Sequence, residues 1–193
     1  MVMDLETVYQ RTVDGWTARV EGVGADQWGA ATPCEDWDVR ALVNHVVGED
    51  LWTEPLVRGA TISEVGNRFD GDLLGADPQV TARDAAAQAT RAVGEALPTR
   101  GKVHLSYGDE ELEEYVAQLA ADHLIHGWDL AAATGGDVEL DDDLVGAVAE
   151  WFAEREEAYR AAGIIGARME VEGDAKSELL ARFGRDPGWG KPG

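Results

Sequence analysis

The sequence predicts an all-α fold: a four-helix bundle with an additional helix and an irregular C-terminal tail. Three observations predict it. Apolar residues recur every three or four positions through five segments. Helix-start and helix-stop residues, such as Asp-Pro, clustered Asp and paired Gly, stand between those segments. No run of alternating apolar and polar residues supports a sheet, and only residues 103–106 and 169–171 read as short extended pieces.

The first helix is expected over residues 4–20, where Leu5, Val8, Thr12, Trp16 and Val20 share one face. Pro33 breaks the chain before the second helix. That helix starts near Trp37 or Asp38, with Asp36 or Asp38 able to cap it, and Leu42, Val43, Val46, Val47 and Leu51 form its stripe. Asp77-Pro78 opens the third, which ends before Pro98. The fourth is expected over 110–133 and stops at Gly135-Gly136. The fifth starts at the Asp cluster 141–143 and runs to Ala162, with Gly163 as its stop. One short tail helix is expected around residues 177–183. We therefore expect a metal-binding helical bundle over 1–163 and a tail over 164–193 that packs on it.

The metal expectation comes from the histidines. There are only four: His45, His104, His123 and His126. On a helical wheel of the fourth segment, Leu112, Tyr115, Leu119 and Leu130 mark the buried stripe. His126 falls in the middle of that stripe, with Asp122 and His123 on its flanks. Burying such groups without partners costs on the order of several kcal/mol, so something must satisfy them. Asp122 and His126 are one helical turn apart, and His45 lies beside the apolar stripe of the second helix. Two histidines and one carboxylate could hold a divalent cation. The same residues also read as core histidines hydrogen-bonded to carbonyls or to Asp122, and spacing alone leaves both readings open.

Three stretches carry a resemblance. ATPCEDWDVRALVNHVVGED and DHLIHGWDLAAATG resemble the second- and fourth-helix signatures of the DinB-like superfamily. The similarity is to its actinobacterial branch related to mycothiol-dependent maleylpyruvate isomerase, whose C-terminal ending LLARFGRDPGW also resembles. The resemblance implies a divalent metal held by His45, Asp122 and His126, with zinc foremost and nickel or iron also suited to the ligands. Asp122 is a departure, because the family's usual residue there is His or Glu. His123 is then an extra imidazole, either a substitute ligand or the catalytic base. The resemblance also implies mycothiol as a cosubstrate and a small electrophile as substrate.

The remaining polar and aromatic residues read more plainly. Cys34 is expected to be a small structural cysteine, Trp37 a core anchor, and His104 a surface residue in a linker. Asp129 is either a partner orienting a ligand imidazole or a helix-to-loop hydrogen bond. Trp128 falls opposite the buried stripe and is expected beneath the fifth helix or the tail. Arg40 could reach an acidic substrate, cap Asp36 or face water. Arg185 and Trp189 are expected to pack the tail.

Charge narrows the partners. Lys and Arg number 16 against 38 Asp and Glu, a net charge of −22. Such a surface repels phosphate, which argues against nucleic acid and against anionic membranes. A single cysteine excludes an internal disulfide and fits a reducing compartment. With no apolar leader in MVMDLETVYQR, a cytoplasmic protein is expected. Apolar residues on the first helix leave a homodimer open. Two functions follow: a metal-dependent small-thiol S-transferase or isomerase, or a non-catalytic metal- or ligand-binding helical domain.

Overall fold

The computed structural model describes residues 3–190. In chain order it contains α1 (Leu5–Glu21), α2 (Val39–Val57), α3 (Ile62–Val65) and α4 (Pro78–Ala96). A turn of 3-10 helix, Leu97–Thr99, leads to the hairpin β1 (Lys102–Leu105) and β2 (Gly108–Glu111). Then come α5 (Leu112–Thr134), α6 (Asp142–Ala153), α7 (Glu156–Ala161) and α8 (Ala175–Arg182). The fold is all-α, and among the described residues its one sheet is a four-residue-per-strand antiparallel hairpin. Among the described residues no helix is long and apolar enough to cross a membrane.

The bundle consists of α1, α2, α4 and α5. Helix α1 packs on α5 and α4, and α2 packs on the same two, which closes the ring. Asp4, Asp38, Asp77 and Asp141 each accept a first-turn backbone N–H, satisfying a donor that the helix itself leaves free. Helix α5 is buried nearly all round, because α1, α2 and α6 cover it. Trp128, opposite the expected stripe, is 2 % exposed and lies as expected beneath the fifth helix and tail, in an apolar cluster with Phe152, Leu180 and Phe183. A second cluster gathers Trp16, Val20, Leu42, Val46 and Leu130. His126 sits on α5 between Ile125 and Trp128 of the first cluster, one turn before Leu130 of the second.

Several details differ from expectation. Helix α5 starts at Leu112 because residues 108–111 are used in the hairpin. His104 lies in β1, not in a linker, with Nδ1 2.7 Å from Oδ1 of its cross-strand partner Asp109. The stretch after Leu51 continues α2 to Val57, and the Thr61–Glu64 capping box then starts α3.

The expected fifth helix breaks between α6 and α7. There the backbone N–H of Arg155 donates to Phe152, one residue short of the α-helical partner. The Trp151 carbonyl accepts from the Arg155 guanidinium instead, at 2.6 Å. That guanidinium also grips Glu114 of α5, at 2.5 and 2.6 Å. Residues 169–171 form no strand; the Met169 N–H bonds instead to the Ala181 carbonyl at the end of α8.

Candidate metal centre

Helix α2 carries His45 and α5 carries Asp122 and His126. The His45 Nε2 lies 3.4 Å from Asp122 Oδ2, and the His126 Nε2 lies 3.4 Å from Asp122 Oδ1. One ligand atom from each residue falls within 4.8 Å of the others. The two imidazole rings meet edge to face, with centroids 5.2 Å apart. Trp37, from the turn before α2, leans on both, 4.7 Å from the His45 ring and 5.8 Å from the His126 ring. It packs into the second apolar cluster as expected of an anchor and also walls the centre.

These residues fit a divalent cation. A separation of 3.4 Å is beyond a good N–H···O hydrogen bond. It matches the edge of a tetrahedron of ligands about a cation with bonds of about 2.1 Å, an edge of about 3.4 Å. Asp122 Oδ2 is buried and has no hydrogen-bond partner, a costly state for a carboxylate oxygen that a cation would relieve. Two imidazoles and a carboxylate suit zinc, nickel and iron alike.

The electrostatics are those of a tightly paired cluster. Burial by itself would raise the Asp122 carboxyl, but His126 and His45 outweigh it and hold it well below the usual carboxylate range. Burial would lower His126, but Asp122, Asp129 and Cys34 outweigh it and hold the imidazole well above its ordinary value. Glu49, one turn beyond His45, is pushed up by burial and by the charge of Asp122.

A second layer stands behind His126. Its Nδ1–H donates to Asp129 Oδ2 at 3.0 Å. Asp129 is fully buried and accepts from Arg185 Nη2 at 2.9 Å and Nε at 3.2 Å. The Cys34 thiol donates to Asp129 at 3.3 Å and accepts from Arg185 at 3.2 Å. Cys34, His126 and Asp129 also lie within ligand distance of one another, but the guanidinium among them opposes a cation there. Sequence reading missed this role for Arg185 and Cys34. No local signal joins residues 56 and 95 positions from Asp129.

His123 is not brought to this centre. Its side chain is fully buried on another face of α5, with Tyr9 and Trp16 edge-on to the ring. Nδ1 lies 2.7 Å from the Leu119 carbonyl and Nε2 lies 3.1 Å from Asp50 Oδ1. Both partners accept, so both nitrogens donate and no lone pair is left for a metal or a proton. Burial would lower this imidazole, but Asp50 outweighs it and raises it. Arg40 is likewise engaged, by Asp72 at 2.9 Å.

Residues 9–131 match the family described as mycothiol maleylpyruvate isomerase N-terminal domain. The chain belongs to this family. Among curated relatives of this family member are the uncharacterized proteins MT0763 and Rv0738, from two strains of Mycobacterium tuberculosis. Each is 34 % identical over 144 residues, covering 74 % of this chain and 74 % of the relative. Among solved structures, the fold is similar to a histidine-to-alanine mutant of the mycothiol-dependent maleylpyruvate isomerase, with a TM-score of 0.63. The match covers 86 % of this chain and 75 % of that one at 13 % identity, so it speaks to the fold.

Proposed function

We propose that this chain is a divalent-metal-binding protein that acts as a metal-dependent small-thiol S-transferase or isomerase, with mycothiol or a similar thiol as cosubstrate. The observation that carries the reading is the Asp122 carboxylate, whose orphaned Oδ2 lies at a tetrahedral-edge distance from His45 and whose Oδ1 lies at the same distance from His126. His45, Asp122 and His126 would hold the cation, with zinc the first choice and nickel or iron also suited. A bound cation would lower the pKa of a thiol and keep it as thiolate at neutral pH, ready to attack a small electrophile.

The chain's own residues do the rest. Asp129 accepts the hydrogen bond of the His126 Nδ1–H, which leaves Nε2 to face the ligand position. Trp37 presents an aromatic wall that shields one side of the centre from water. Residues 1–163 would make the metal-binding bundle, and 164–193 the tail that covers it. A cytoplasmic setting, a small-molecule substrate, no nucleic-acid partner and an optional homodimer complete the proposal; the acidic surface and lone cysteine support it.

The engagement of both His123 nitrogens favours one other reading. A centre without that base could serve a non-catalytic metal- or ligand-binding domain. Elemental analysis of the purified protein beside His126→Ala tests the metal, with about one zinc per chain expected in the wild type and far less in the variant. Equal contents would sink the metal reading. Mycothiol consumption with small electrophiles then separates enzyme from binder: a loaded protein that never exceeds the buffer rate is the binder.

A further inference from the structure

Three elements distant in sequence meet behind His126: the loop at Cys34, helix α5 at Asp129, and the tail at Arg185. Asp129 is the pivot. It is completely buried, and one of its oxygens, Oδ2, receives the His126 Nδ1–H, the Cys34 thiol and a guanidinium N–H of Arg185. The other oxygen, Oδ1, accepts only from Arg185 Nε, at 3.2 Å. The guanidinium thus spans both oxygens and fixes the plane of the carboxylate. The fork is itself anchored from behind, where Nη1 donates to the Phe183 carbonyl at 2.9 Å. Phe183 stacks on Phe152 of α6, with ring centroids 4.0 Å apart, which holds the end of α8 against the bundle.

Deleting Arg185 in thought shows what this arrangement does. A buried carboxylate without its cation must find other partners, and the nearest are Cys34 and His126 themselves. Rotation of Asp129 toward either would release or turn the imidazole. The His126 ring has one well-defined orientation only while its Nδ1–H has a fixed acceptor, and that orientation aims Nε2 at Asp122.

We infer that Arg185 is a positioning residue of the metal centre: through Asp129 it locks His126 with Nε2 facing Asp122 and His45, so the tail completes a centre whose ligands all lie in the bundle. This rests on the metal reading above, and two separate measurements keep the two ideas apart. The first is zinc affinity, by titration of the metal-free protein against a chromophoric chelator. The second is the downfield proton resonance of the His126 Nδ1–H in metal-free protein, assigned by its loss in His126→Asn. A purely structural arginine would leave that resonance unmoved in folded protein.

Arg185→Met is expected to lower zinc affinity about 10–100-fold, the usual loss when a ligand's supporting partner goes, and to shift or broaden the resonance away. Arg185→Lys, which still offers Asp129 a charged donor, is expected to restore most of both. Should the Met variant not fold, Arg185→Gln, which keeps an amide donor near the position of Nε but not the terminal guanidinium, carries the same two measurements. Zinc affinity within about twofold of wild type together with an unmoved resonance would overturn the inference. A wild-type protein that takes up no zinc would overturn the metal reading, and the resonance alone would then decide the role of Arg185.

Discussion

Asp122 and His123 are neighbours in sequence, yet their side chains leave α5 toward different partners, and their substitutions should part accordingly. Asp122→Ala removes the carboxylate that stands between His45 and His126, so zinc occupancy should fall while the bundle stays folded. Asp122→Glu, with a longer arm, should keep or improve binding. His123→Ala strands Asp50, a fully buried carboxylate whose second oxygen already lacks a partner. Breaking a buried pair in this way costs about 3–5 kcal/mol, read as a drop in urea stability, while zinc per folded chain should hold. If His123→Ala empties the centre and Asp122→Ala does not, the ligand assignment is reversed.

At the scale of elements, Glu156 at the start of α7 fastens the tail. It accepts from Arg160 at 2.8 Å within its own helix and from Arg182 at 2.8 Å at the end of α8. Burial would raise this carboxyl, but Arg182 and Arg160 outweigh it and lower it. A depressed folded-state value means its stabilisation is full above the ordinary carboxylate value of about 4.3 and disappears as pH falls through the lower, folded value. The stability difference between wild type and Glu156→Gln should therefore be constant near neutrality, at about 1–3 kcal/mol, and shrink below about pH 4. Urea midpoints across that window check it, and a difference that grows toward acid would refute it. The caps of α2, α4 and α6 were legible in the sequence because a cap is a contact over two or three residues. Helical period likewise put His45, Asp122 and His126 on inward faces. The α6–α7 break was not legible, since it depends on Arg155 reaching Glu114, 41 positions earlier. His123 misled for a related reason: the wheel put it beside His126, and only the α2–α5 packing reveals Asp50 waiting for it, 73 positions away.

At the scale of the whole molecule the net charge of −22 governs who approaches. Residues 103–154 contain 14 acidic groups and no Lys or Arg, and Arg40 and Arg185 already answer to Asp72 and Asp129. An anionic electrophile must therefore enter against the field. Its kcat/KM should rise several-fold from about 0.01 M to about 0.15 M salt, as the screening length falls from about 30 Å to about 8 Å. A neutral electrophile should show a flat profile, and equal profiles for the two would dismiss the field as a selector. The contact between Asp129 and Arg185 has a consequence in the order of synthesis. The ribosome releases His45 first, then Asp122 and His126 together, and the guanidinium that steadies them 56 residues after Asp129. If Arg185 sets His126, a chain not yet extended to Arg185 would carry every proposed ligand but grip metal poorly. Metal capture would then wait until the segment that carries Arg185 has joined the bundle, so the timing of loading would be set by the tail.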